Sequence, residues 1–280
     1  MHKKYVKENS LQVAFRNKPT RNGSLLNLDS RKAFSNETLH LSLGEQHITK
    51  LAHGLQNIER SVRDSLLSNF ATKKDPTAIV DYAILSQKMD LFHGGQATLS
   101  VWSLPDVGAN QSSSLFIAVG RGDADPPNNF NFIGAGWHVF PELYGDNDTH
   151  LTAYWLIDGD QSDGCYNLRC KGFVPYKQSK YKLGAKIRPL STYDGDQYDI
   201  TLKIFKDKTT GDWVLHAGRH GDKPIGHWPK SLLEAATVVQ FGGLVSYHPG
   251  DRAPPMGSGH SPDDGDKRAA CGSHTGRSPE

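Results

Sequence analysis

From residue 76 onward the chain consists of short β-branched and aromatic runs, and this pattern constrains the fold more than any other feature. Clusters of Gly, Pro, Asn and Asp separate the runs, while a helical period is almost absent. The run "HLTAYWLID" alternates between two covered faces, and "YDITLKIFKD" returns through "KTTGDWVLH" as a hairpin over residues 198–216. Together these runs predict an all-β fold, an antiparallel β-sandwich.

Two segments depart from this pattern and predict helices. Ser42 and Glu45 form a capping box, and apolar residues recur after it at steps of three and four. We therefore expect an N-terminal extension over residues 1–75, partly disordered, with a helix near 43–70 that packs on its own domain or pairs with a partner helix. A second, short helix is predicted at "WPKSLLEAA". The remaining domain spans residues 76–280.

Composition excludes several classes of protein. The 280-residue chain carries a net charge of only +2, and we recognise no basic face with interleaved aromatics, so no nucleic-acid partner is expected. No apolar run reaches the roughly 18 residues of a membrane span, so no membrane association is expected. The N-terminus also lacks the apolar segment of a secretory signal. Four glycosylation sequons nevertheless suit a secreted protein, at Asn22, Asn36, Asn110 and Asn147.

The three cysteines leave two interpretations open. Cys165 and Cys170 lie in one turn-rich stretch, which fits a local disulfide or two buried free thiols equally well. Cys271 lies in a polar tail, and nothing in its surroundings indicates a catalytic nucleophile.

Clusters of ionisable residues raise the question of a metal site. Acids cluster in "ELYGDND" (Glu142, Asp146 and Asp148) and in "DGDQSDG" (Asp158, Asp160 and Asp163), but neither has calcium-loop spacing and turn acids explain both. His216, His220 and His227 span a glycine-rich loop and share no face. We expect no metal and no cofactor.

The stretch "VVQFGGLV" at residues 238–245 places two glycines inside a strand. Glycine weakens a strand interior and marks a bulge, a bend or a close approach of another backbone. The pair formed by Gly242 and Gly243 is therefore a candidate for a place where a ligand approaches the sheet.

Seven stretches occur together in an order and spacing that resemble the plant neprosin-like proteins. They are "GGQATLSVW", "AGWHVFPELYGDNDTHLTAYW", "GCYNLRCKGFV", "QYDITLKIFKD", "GHWP", "VVQFGGLV" and "PPMGSGH". The resemblance covers residues 76–262 and implies a secreted β-sandwich endopeptidase domain of the glutamic class, whose founding members cleave after proline. It also implies a disulfide between Cys165 and Cys170, an extracellular location and a peptide substrate in a cleft that includes Trp137, Gly242 and Gly243.

The chain departs from the family at the positions that carry the chemistry. Such enzymes use two carboxyl groups, one activating water and one polarising the scissile carbonyl, close enough to share a proton. By resemblance these positions are Gly134 and Leu244 here, and neither is an acid. Glu142, eight residues along from Gly134, is the fallback candidate. Asp199 and Glu234 are further carboxylates that a rearranged site would use.

The resemblance therefore predicts a neprosin-like protein that is catalytically degenerate. One alternative is a pseudoenzyme that binds a peptide or a cell-wall polymer, with Trp137, Tyr154, Trp155 and Trp228 either stacking on the ligand or packing in the core. Another is a non-functional fragment, because the sequence after "MGSGH" has little strand character and the C-terminal part of the family domain is expected to be truncated. Oligomeric state is not specified by the sequence.

Overall fold

The structure is a computed structural model that describes residues 78–121, 131–157 and 164–260, without the side chains of residues 85–90. Within this part the chain forms two antiparallel sheets with almost no helix. The predicted helix near 43–70, the second acidic cluster and Cys271 lie outside the described residues. No helix in the described ranges has the length and apolar character needed to cross a membrane.

The strands follow one another along the chain with a single helical turn between the fourth and the fifth. They are β1 (Ile79–Phe92), β2 (Gly94–Ser100), β3 (Ser112–Arg121), β4 (Asn131–Val139), α1 (Pro141–Tyr144), β5 (His150–Leu156), β6 (Gly164–Tyr166), β7 (Val174–Pro175), β8 (Asp199–Lys206), β9 (Trp213–Ala217), β10 (Lys223–Trp228) and β11 (Ala236–Tyr247). The first sheet has the order β1-β11-β3-β4-β5-β6, and the second has the order β2-β8-β9-β10-β7.

The two sheets pack face to face and bury a shared core. Alternate residues of β4, such as Ile133, Ala135 and Trp137, point into this core, where they meet Leu202 and Ile204 of the second sheet. The period of two that the sequence shows is thus the alternation between this inner face and the opposite, outer face of the first sheet. The prediction of an antiparallel β-sandwich is confirmed.

Individual strands follow the sequence closely, with one exception. β5 is buried on both faces, and β8 and β9 pair as the predicted hairpin. The predicted helix at "WPKSLLEAA" is wrong: Trp228 ends β10, a turn follows in which the Leu232 N–H donates to the Pro229 carbonyl, and Ala236 begins β11. The connection is only seven residues long, and the Trp213 indole, which donates to the Leu233 carbonyl at 2.7 Å, fixes it as a loop.

Candidate functional site

The outer face of the first sheet carries both positions at which the resemblance expects an acid. Gly134 of β4 pairs with Ala118 of β3, which in turn pairs with Gln240 of β11. Leu244 lies four residues along β11 and has the same orientation as Gln240. A second cluster of buried side chains covers this face, and Leu244 belongs to it. The fold therefore brings the two expected positions to one surface of one sheet.

Tyr154 fills the space above Gly134. The two residues are cross-strand partners in β4 and β5, and the phenol ring lies where a side chain at position 134 would project, with Cε1 only 2.7 Å from an ideal Cβ. The Tyr154 hydroxyl is buried and has no hydrogen-bond partner within the described residues. Burial raises the pKa of Tyr154 well above its usual value, so this hydroxyl keeps its proton. A proton donor without an acceptor among the described residues thus lies at the first position where the resemblance expects an acid.

Leu244 occupies the second position as an ordinary core residue. Its side chain is 1% exposed and lies in the apolar cluster with Phe116 and Val80. A carboxylate in such surroundings would lose its hydration without gaining a charged partner, which is costly. The described outward positions of the first sheet carry no acid at all.

The strand register also measures how far apart two acids at these positions would lie. Gly134 and Leu244 are two strands apart across the sheet and four residues apart along it. Antiparallel strands lie about 4.8 Å apart and advance about 3.4 Å per residue, so the Cα atoms of an unbent sheet would be roughly 17 Å apart. That diagonal leaves room for a peptide between two long side chains, so acids at these positions would act on the peptide from opposite sides rather than share a proton directly.

None of the alternative carboxylates lies on this face. Glu142 is in α1, beyond the end of β4 at Val139, and not in the strand itself. Asp199 begins β8 of the second sheet and is exposed. Glu234 is an exposed residue of the connection before β11, where its carbonyl accepts a hydrogen bond from Lys206. The structure brings none of the three to the positions of Gly134 and Leu244.

Other parts of the protein fill the space beside the residues that were predicted to line a substrate cleft. Ideal Cβ atoms would meet the backbone of Ala83 and Ile84 at Gly242, and the side chain of Met256, 2.6 Å away, at Gly243. Trp137 is fully buried between the sheets, where its indole donates to the Ser100 carbonyl at 2.8 Å. Here the glycine pair admits a neighbouring strand and a methionine, and Trp137 is a core residue.

A polar network closes one end of the outer face. The Asn167 amide donates to the Tyr144 hydroxyl at 3.1 Å, and the ring of Tyr144 stacks on His150 with centroids 3.9 Å apart. His150 lies within hydrogen-bond distance of two acceptors, Gly184 O at 2.7 Å and Asp146 Oδ1 at 2.8 Å. Burial raises the pKa of Tyr144 to about 12. The sequence stretches "ELYGDN" and "GCYN" thus meet here and anchor each other.

Ion pairs account for the acidic cluster at the same end. Asp146 contacts Lys186 at 2.9 Å, and Asp148 contacts Lys186 and Arg188 at 2.5 Å each. The hydrogen bond from His150 is the main cause that lowers the pKa of Asp146, and that from Lys186 does the same for Asp148. In the described part of the chain, no group of three or more His, Cys, Asp or Glu side chains is arranged to hold a metal ion.

The remaining sequence candidates have structural positions. Cys165 and Cys170 form a disulfide, so the interpretation as free thiols is wrong. His216 packs edge-on against Phe205, and His227 lies beside Tyr176. Neither histidine belongs to the outer face of the first sheet.

The sequence reasoning missed the role of Tyr154 at Gly134. The signal was available only in part, since a glycine and an aromatic residue in adjacent strands often pair across a sheet. The register that makes them partners depends on the connection between β4 and β5. The sequence gives the length of this connection but does not show that it contains the helical turn α1.

The fold is an antiparallel β-sandwich in which a cluster of buried side chains covers the outer face of the six-stranded sheet. These features define the class of protein. A family model described as Neprosin matches residues 109–276, which is more than half of the chain. The chain belongs to the neprosin family.

Solved structures with similar folds are distant. Scytalido-glutamic peptidase with a transition state analog inhibitor is 15% identical over 60% of this chain and 66% of that chain, with a TM-score of 0.35. SCP-B, a member of the eqolisin family of peptidases in a complex with the tripeptide Ala-Ile-His, is 12% identical over 60% and 64%, with a TM-score of 0.33. The match to each spans just under two thirds of the peptidase.

Proposed function

We propose that this chain is a catalytically inactive member of the neprosin family whose remaining activity toward peptides is binding. The proposal rests on one observation: glycine and leucine stand on the outer face of the first sheet where the family resemblance expects two acids. Without a general base and an acid to polarise the carbonyl, neither half of the water attack on a peptide bond is assisted.

The unpaired hydroxyl of Tyr154 supports the loss of an acidic side chain at position 134. Buried donors are almost always paired, and an unpaired one costs free energy. An ideal Cβ at position 134 would lie 2.4 Å from this hydroxyl, so a glutamate fits there only when Tyr154 moves aside, and its carboxylate would then offer the displaced hydroxyl an acceptor. We infer that Tyr154 occupies space that a side chain at position 134 would otherwise take.

The side chains on the outer face of the first sheet are buried, and this limits the access of a peptide to that face. Leu244 is 1% exposed and Tyr154 is 2% exposed, so a peptide binds there only if the layer opens. An extracellular location belongs to the same proposal, and the disulfide between Cys165 and Cys170 supports it because such bonds persist in oxidising compartments.

The test is restoration of the acids. The double variant Gly134→Glu, Leu244→Glu is incubated at acid pH with a proline-containing peptide, beside the unmodified chain and the matched double variant with Gln at both positions. We expect cleavage by the Glu variant alone, read by mass spectrometry of the products. Equal cleavage by the Gln variant, or cleavage by the unmodified chain, would refute the proposal.

Folding of the Glu variant is checked by circular dichroism, because a glutamate at position 244 enters an apolar cluster. Peptide binding by the unmodified chain, measured by calorimetry, tests the other half of the proposal independently of that variant. Absence of binding at millimolar peptide would contradict it.

A further inference from the structure

The stretch from residue 164 to residue 193 contains no acid although the chain as a whole is nearly neutral. It carries seven basic residues, and each of them is exposed. Lys186 and Arg188 pair with Asp146 and Asp148. In the described part of the chain no ion pair involves the other five, which we call the basic strip: Arg169, Lys171, Lys177, Lys180 and Lys182.

The backbone holds the basic strip against both sheets. The Tyr176 N–H donates to the Ile225 carbonyl of the second sheet at 2.9 Å, and the Gly184 N–H donates to the Leu151 carbonyl of the first sheet at 2.7 Å. Between these anchors the Ser179 hydroxyl donates to the Tyr181 carbonyl at 2.9 Å. The segment that carries the strip is therefore held by its backbone to both sheets.

A shallow groove of about 590 Å³ lies along the middle of the strip, in the size range of sites for small ligands. Pro175, Tyr176 and Pro224 supply apolar surface there, while Lys177, Gln178 and Ser179 supply polar groups. Flat apolar faces beside hydrogen-bonding side chains and a cation fit a sugar ring that bears a carboxylate.

We propose that the basic strip and its groove bind a carboxylate-bearing polysaccharide. A linear polyanion suits five exposed charges spread along a segment that is anchored to both sheets. Four of the five cations are lysines, which act as separate point charges and therefore suit anionic groups spaced along a polymer.

Other polyanions fit less well. Tyr176 and Tyr181, the two tyrosines within the basic strip, are only partly exposed, and Tyr176 lies against His227 with ring centroids 5.6 Å apart, so they form no open stacking platform for bases. Pro175 lies in the edge strand β7 and has no N–H to donate, so an acidic peptide gains no strand-addition site there.

The experiment measures binding of the unmodified chain to polygalacturonate at low salt. Its probes for comparison are fully methyl-esterified polygalacturonate, poly-glutamate and single-stranded DNA. The test variant is Lys177→Gln, Lys180→Gln, Lys182→Gln, and the control removes the same charge elsewhere as Lys208→Gln, Lys230→Gln, Arg252→Gln. All six side chains are exposed, so both variants are expected to fold.

We expect the test variant to bind polygalacturonate at least about tenfold more weakly than the unmodified chain, and the control variant to bind within about twofold of it. Binding should also weaken with salt and fail for the esterified polymer. Equal loss in both variants, undiminished binding of the esterified polymer, or tighter binding of poly-glutamate or DNA would overturn the proposal.

Discussion

The substitution Tyr154→Phe isolates the orphan hydroxyl in the outer layer. The ring lies over Gly134 and packs edge-on against Phe116 with centroids 6.0 Å apart, and the substitution keeps both contacts while removing the unpaired donor. An unsatisfied buried polar group costs about 1–3 kcal/mol. Its removal should raise the free energy of unfolding by about 1 kcal/mol, which is about 2–4 °C in Tm for a domain of this size.

Tyr144→Phe is the matched control. Its side chain is half-buried, and its hydroxyl accepts a hydrogen bond from Asn167 at 3.1 Å, so the same chemical change should lower the free energy of unfolding by about 1 kcal/mol. Urea unfolding at neutral pH gives both values, provided that the m-values stay equal. A loss of stability in Tyr154→Phe as large as in Tyr144→Phe would refute the reasoning, since the hydroxyl would then have a partner.

The sign should reverse when the acid is restored. In a Gly134→Glu background the Tyr154 ring must move aside, because an ideal Cβ at position 134 lies 2.4 Å from its hydroxyl. The displaced hydroxyl should then donate to the new carboxylate, so Tyr154→Phe should become destabilising. Hydrogen bonds to charged groups contribute about 1.5–3 kcal/mol, and a double-mutant cycle measures this coupling directly. Additive effects in the cycle would show that position 134 and Tyr154 do not interact.

Three further predictions concern the surroundings of the outer face. Gly242→Ala should destabilise more than Gly243→Ala in urea unfolding, because a Cβ meets the backbone of β1 at the first position and a flexible methionine at the second; the reverse order would contradict this. Asn147 should carry no glycan in a secretory host, because its amide already donates to the carbonyls of residues 105 and 107 at 2.8 and 2.6 Å; an occupied site in glycopeptide mapping would disagree. The hydrogen bond from His150 lowers the pKa of Asp146. The ionised Asp146 carboxylate therefore stabilises the fold fully above about pH 4, and this stabilisation is lost as the pH falls toward the lowered pKa of Asp146. Asp146→Asn should therefore flatten the acid limb of a plot of stability against pH, and an unchanged limb would count against the ion pair.

The fold was predictable from the sequence because its signals are local. Alternation along "HLTAYWLID" and the turn clusters specify strands and their faces wherever they occur. The helix predicted at "WPKSLLEAA" is wrong because the prediction also used local signals alone. The composition of this stretch is helical, but the hydrogen bond from the Trp213 indole to the Leu233 carbonyl is a tertiary contact.

The site was predictable only as a pair of positions. A family resemblance gives Gly134 and Leu244, yet the register that puts them on one face depends on β3, which neither belongs to. The neighbours of the glycine pair come from β1 and Met256, far away along the chain. By contrast, the basic strip can be read directly from the sequence as a stretch without acids. The net charge of the whole chain, which is close to zero, does not reveal it.

Loss of catalysis is most directly tested by turnover of the unmodified chain. Purified protein is incubated at acid pH with a proline-containing peptide at high enzyme concentration, and products are followed by mass spectrometry for many hours. The account predicts that the peptide stays intact. Cleavage that survives purification and disappears in Glu142→Gln would contradict it, because a carboxylate outside the outer face would then be carrying the reaction.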